Sequence, residues 1–166
     1  MTNNFLLFYS ILNLFLLYYY LVTSNSDEMP TTWISIEGNY YSFNKEKKTQ
    51  SDARAACCFA GGKLYEPKYE KKYDNVSAKA KFQGLKKIWL GIREGSKKGE
   101  FMYQSDNSPL VDWLSKINQG RSKMSCVLGR LSYKNRNLPR WFYGTCDAKY
   151  HYVCEKNGDG KTKTVT

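Results

Sequence analysis

The chain has 166 residues, 26 of them Lys or Arg and 15 Asp or Glu, giving a formal net charge of +11. That length holds one ordinary domain with enough chain for a real core. A field of this sign favours anionic partners such as sulfated or phosphorylated glycans, anionic lipid, nucleic acid or an acidic protein face. The single histidine, His151, sits between Tyr150 and Tyr152, where it reads as part of a strand; without it no Ser-His-Asp arrangement can be assembled, so catalysis is not expected.

In chain order, residues 1–24 carry no charged side chain and run apolar from Phe5 to Val22. They read as a secretory signal peptide cleaved near Ser24. An uncleaved anchor is the alternative, because the first residues lack Lys or Arg and the run is near the lower limit for a membrane span. Cleavage would leave about 140 residues bearing all of the charge. Residues 25–32 (NSDEMPTT) read as a short polar leader, 33–156 as the folded unit and 157–166 (NGDGKTKTVT) as a flexible basic tail. The expected location is extracellular, which leaves nucleic acid out as a partner.

Gly38–Phe43 reads as an aromatic-rich strand followed by a solvated KEKK turn. Thr49 with Asp52 opens a helix through Ala53, Ala55, Ala56 and Cys57 that stops at Gly61-Gly62. Tyr69, Tyr73, Val76 and Ala80 follow helical spacing and predict a second helix ending by Gly84. Ile88–Ile92, Phe101–Tyr103 and Tyr150–Glu155 read as short strands, so the expected class is α+β. Five cysteines, Cys57, Cys58, Cys126, Cys146 and Cys154, lie in the part expected to be secreted, where disulfides are the default and one thiol is left over. Asn75-Val76-Ser77 is a glycosylation sequon.

A set of spaced landmarks then accumulates. The first helix contains Ala53, Cys57, Gly61, Gly62 and Leu64 in the pattern A-x-x-x-C-x-x-x-G-G-x-L, and Trp89-Leu90-Gly91-Ile92 follows. Phe101, Ser105-Asp106, Trp113, Cys126, Trp141 five residues before Cys146, and Tyr152-Val153-Cys154-Glu155 complete the series. Together they resemble the C-type lectin-like domain over roughly Trp33 to Lys156. The resemblance implies two helices flanking short antiparallel sheets with a long loop region. It also implies two disulfides, Cys57 with Cys154 and Cys126 with Cys146. Cys58 then remains, either as a buried thiol or as a link to a second chain.

The resemblance further implies where calcium would bind in sugar-binding members. A Glu-Pro-Asn type triplet would fall on Ile117-Asn118-Gln119, an Asn-Asp pair on Phe142-Tyr143, and an acidic residue on Ser125. Calcium takes six to eight hard oxygen ligands, several of them carboxylates, and these positions supply no carboxylate and at most two amides. No metal or cofactor is therefore expected. From Trp113 to Cys146 the chain carries Lys116, Arg121, Lys123, Arg130, Lys134, Arg136 and Arg140 with no acidic residue. The expected site is Arg121, Lys123, Arg130, Lys134, Arg136 and Arg140 for sulfate, phosphate or carboxylate groups, with Phe142 or Tyr143 as a platform for a sugar ring. A lipopolysaccharide-like ligand would satisfy the same cations. The competing readings are a protein-binding surface with a possible homodimer through Cys58, and a strand in which at least one of Phe142 and Tyr143 packs into the core.

Overall fold

The computed structural model describes residues 12–18, 32–97, 99–111, 126–131 and 141–158. The chain divides into two units, residues 1–31 and 32–166. Within the first, residues 12–18 are helical (α1). No helix among the described residues is long and apolar enough to cross a membrane.

The second unit is built on one sheet. In chain order its elements are β1 (Ile34–Ile36), β2 (Asn39–Lys48), α2 (Gln50–Phe59), β3 (Lys63–Leu64), α3 (Glu70–Phe82) and β4 (Lys87–Glu94). β5 (Phe101–Tyr103), β6 (Cys126–Arg130), β7 (Trp141–Gly144) and β8 (Tyr150–Asn157) complete it. The strand order is β1-β2-β8-β4-β6-β7, with β3 also paired to β8 and β5 to β4. Every pairing is antiparallel except β4 with β8, so the sheet is mixed, joined at its centre by one parallel contact.

Both helices end as their glycines require. Thr49 caps α2 by accepting from the Asp52 amide, and Gly61, at φ +74°, closes it with the paired bonds Gly62 N to Cys57 O and Gly61 N to Cys58 O. Gly84 repeats the device at the end of α3, with Leu85 N bonded to Ala80 O. A side chain at either position would be forced into the left-handed region that L-residues avoid.

The strand alternation divides the core into two layers. Ile88, Leu90, Val127 and Val153 face one side with Tyr73, Val76 and Ala80 of α3, while Trp89, Leu128, Tyr152 and Cys154 face the other with Ala53 and Cys57 of α2. The two helices thus cover opposite faces of the sheet. Cys57–Cys154 ties α2 to β8 and Cys126–Cys146 ties β6 to the loop after β7, as the resemblance implied. Over loops of 97 and 20 residues the bridges are worth roughly 5 and 3 kcal/mol in the chain-entropy picture.

Several elements differ from the sequence reading. Lys45 to Lys48 is not a turn, because β2 continues to Lys48 and pairs it with Tyr150 after an irregularity beyond Asn44. Charged side chains tolerate this stretch because most of them are exposed. Strands β1, β3 and β6 were not recognised, each being too short to show a period of its own, while β7 realises the alternative of a strand through Phe142 and Tyr143. β8 runs on to Asn157, which pairs with Asn39.

Candidate functional site

The described part of the candidate site lies where β4, β6, β7 and β8 run side by side. Lys87 opens β4 and Arg130 ends β6, and the antiparallel register sets them directly opposite each other. Phe142 on β7 pairs with Leu128, placing its ring diagonal to Arg130 on the same face. The Arg130 guanidinium carbon lies 5.1 Å from the centre of the Phe142 ring and Lys87 Nζ 5.2 Å from it. Lys87 Nζ also lies 5.9 Å from the Tyr150 ring, which meets Trp89 edge to face at 5.1 Å. The result is a half-buried aromatic floor, Phe142 and Tyr150, carrying two cations.

Like charges in directly opposed register repel, yet neither cation has a carboxylate partner among the described residues. Arg130 Nε is buried without a hydrogen-bond partner. The ring faces compensate in part, since a cation over an aromatic face gains about 0.5–1 kcal/mol at an exposed site. Lys87 is exposed and Arg130 half-buried, so their charge remains open to an anion. The arrangement can hold a sulfate, phosphate or carboxylate group over an apolar platform.

The two aromatics of β7 share the surface and the core between them. Phe142 packs against the α2-side layer and Tyr143 against the α3-side layer, where it meets Phe101 at 5.1 Å; both are half-buried and neither is sealed inside. Burial, with Glu94 nearby, raises the Tyr143 hydroxyl above its ordinary pKa. Trp141, on the same face as Tyr143, is buried and meets Tyr73 edge to face.

These residues do not fit a calcium ion. Phe142 and Tyr143 bring no carboxylate or amide side chain, the charged groups over the Phe142 ring are cations, and no cluster of acidic, histidine or cysteine side chains among the described residues suits a metal. Ile117-Asn118-Gln119 and Ser125 lie outside the described residues, as do Trp113, Lys116, Arg121, Lys123, Lys134, Arg136 and Arg140. Of the cations expected from sequence to bind, Arg130 is the one the structure places.

Lys87 and Tyr150 were missed by the sequence reading. They lie far along the chain from the basic run, and only strand register brings them beside Arg130. His151, by contrast, stands where expected, within β8, its Nδ1 2.8 Å from the carbonyl of Lys45.

A second polar cluster lies at the other end of β8. Glu155 is buried, and its Oε1 accepts from the Glu66 amide at 3.1 Å and lies 3.4 Å from Lys63 Nζ. Glu66, also buried, accepts from Lys63 at 2.5 Å and from Ser105 N and Oγ at 2.7 and 2.6 Å. Burial pushes Glu155 up to about 7 despite the opposing pull of Lys63. Lys63 is itself raised, the carboxylates of Glu155 and Glu66 outweighing its burial. With every member partnered, this cluster reads as a structural tie between β3, β8 and the turn after β5.

Cys58 is exposed on α2, so the alternative of a buried thiol is ruled out. One position earlier, Cys57 points inward to its disulfide, as the rotation of about 100° per residue requires. Phe59 beside Cys58 is 92% exposed.

The family profile described as Lectin C-type domain matches residues 46–156. The chain belongs to the C-type lectin domain family. It is 26% identical over 135 residues to C-type lectin domain family 9 member A of Rattus norvegicus, covering 79% of this chain and 55% of that protein. It is 30% identical over 123 residues to collectin-11 of Bos taurus, covering 72% of this chain and 43% of that protein. The chain thus spans about half the length of these curated relatives. The carbohydrate-recognition domain of the mouse scavenger receptor C-type lectin shares the fold at a TM-score of 0.61 and 19% identity, over 77% of this chain and 97% of that one. C-type lectin domains are binding modules for carbohydrates or proteins.

Proposed function

We propose that this domain acts outside the cell and binds an anionic, sulfated or phosphorylated glycan without calcium. The observation that carries the reading is the opposed pair Lys87 and Arg130, stacked on Phe142 with no acidic partner among the described residues. An anionic group between them relieves their repulsion and uses the planar guanidinium fork, while the Phe142 and Tyr150 rings offer an apolar face to a sugar. Arg121, Lys123, Lys134, Arg136 and Arg140, which lie outside the described residues, carry the same charge along the chain and remain in the proposed ligand set by sequence alone. Phe142 and Tyr143 stand at the expected calcium positions and supply no carboxylate, which supports recognition independent of the ion.

Titration with a sulfated oligosaccharide and its desulfated counterpart, both in chelator, tests this. Saturable binding of the sulfated form alone is expected, and equal binding of the two overturns the anion reading. The exposed Cys58 and Phe59 on α2 favour a second reading, a protein-binding module linked through Cys58 to a second chain. A dimer band in non-reducing electrophoresis that disappears in Cys58→Ser supports it, and a monomer band in the wild type removes it.

A further inference from the structure

We propose that Asn75 carries an N-linked glycan whose first sugars lie in the groove between α3 and β1, an inference that rests on the extracellular reading above. Asn75, Ala78, Lys79 and Phe82 follow one another at i, i+3, i+4 and i+7 on one face of α3, and with Ile36 they line a groove of about 460 Å³. Asn75 is exposed at its lip, and Phe82 leaves 84% of its surface open at the end of the helix, with Lys79 Nζ 5.6 Å from its ring. An open aromatic ring one helical stripe from an attachment point is a surface that the apolar face of a sugar can cover.

The independent observation is Ser77. Its hydroxyl is fully buried and has no hydrogen-bond partner. An unpaired buried hydroxyl costs about 1–3 kcal/mol, and alanine is the better helix former at the same volume scale. The folded state therefore gives no reason for serine at this position. The sequon does, because an acceptor asparagine requires Ser or Thr two residues later, and the sequence is read before α3 closes over it.

Attachment forms a bond from Asn75 Nδ2 to C1 of the first N-acetylglucosamine and breaks the C1–O bond to a lipid pyrophosphate donor. Nδ2 gives up one proton and the lipid pyrophosphate leaves. In the unmodified chain Asn75 Nδ2 donates to Glu37 Oε1 at 2.6 Å, and one Nδ2 hydrogen remains after modification. That bond anchors the attachment point to the tight turn at Glu37-Gly38.

The test expresses the full chain in a eukaryotic secretory host and treats the secreted protein with a peptide N-glycosidase. A mobility shift on digestion, absent in secreted Ser77→Ala, is expected. Secreted protein with Asn75 unmodified overturns the proposal while leaving secretion intact; protein retained in the cytosol defeats the extracellular reading and the proposal with it. In refolded, unglycosylated protein Ser77→Ala should melt at the same temperature or higher, and a lower melting temperature would assign the hydroxyl to the fold instead. For the groove, the glycosylated protein should melt above the refolded, unglycosylated protein, which keeps Asn75 as an amide, with the difference lost in Phe82→Ser. A difference that survives Phe82→Ser overturns the seating of the sugars.

Discussion

Lys87 and Arg130 oppose each other across β4 and β6, and Phe142 lies against both. If the pair holds an anionic group, Arg130→Ala should weaken binding to a sulfated oligosaccharide roughly tenfold, the equivalent of about 1.4 kcal/mol, measured by titration at fixed salt. Arg130→Lys should recover only part of the loss, because an ammonium keeps the charge and loses the fork. The adjacent cysteines give a second contrast at this scale. Cys57→Ser should lower stability by about 2–5 kcal/mol in urea unfolding, whereas Cys58→Ser, exposed and unpaired within the chain, should stay within about 0.5 kcal/mol of wild type. The disulfide pairing was legible because the family resemblance implied it. Lys87 and Tyr150 were not, because a partner across a sheet leaves no trace in local sequence.

Among the elements, α2 and α3 were readable, since each carries an apolar stripe at helical spacing, polar residues at its start and a glycine where its cap turns left-handed. Strands β1, β3 and β6 were not, and neither was the parallel joint between β4 and β8, which depends on how the chain returns. β4 shows what the strand pattern conceals. Its ladder with β6 is interrupted between Trp89 and Arg93, and the Gln50 side chain fills the gap by donating to the carbonyls of Leu90 and Ile92 at 2.9 and 3.2 Å. On the same strand, a Cβ at Gly91 would meet the Leu64 carbonyl oxygen at 2.6 Å and Glu66 Cγ at 2.8 Å. Backbone cannot yield as a flexible side chain does, so Gly91→Ala should destabilise by about 1–3 kcal/mol in urea unfolding. An unchanged midpoint would show that β3 moves aside.

At the scale of the molecule, charge among the described residues gathers in the cationic patch on the α2 side of the sheet and in the buried cluster of Lys63, Glu66 and Glu155. Glu155 is raised from its ordinary 4.5 to about 7, so it contributes stability below pH 4.5 that is lost as the pH rises through 7. Lys63, also raised, keeps its contribution throughout that window. Stability should therefore fall between pH 4.5 and 7 in urea midpoints, and Glu155→Gln should flatten the fall. The most direct test of the central claim is retention of the refolded domain on heparin across a salt gradient, run with calcium and with chelator, for wild type and Arg130→Ala. The account predicts wild-type elution well above physiological salt, unchanged by chelator, and earlier elution of Arg130→Ala. Retention lost on chelation, or identical elution of the two proteins, would contradict it.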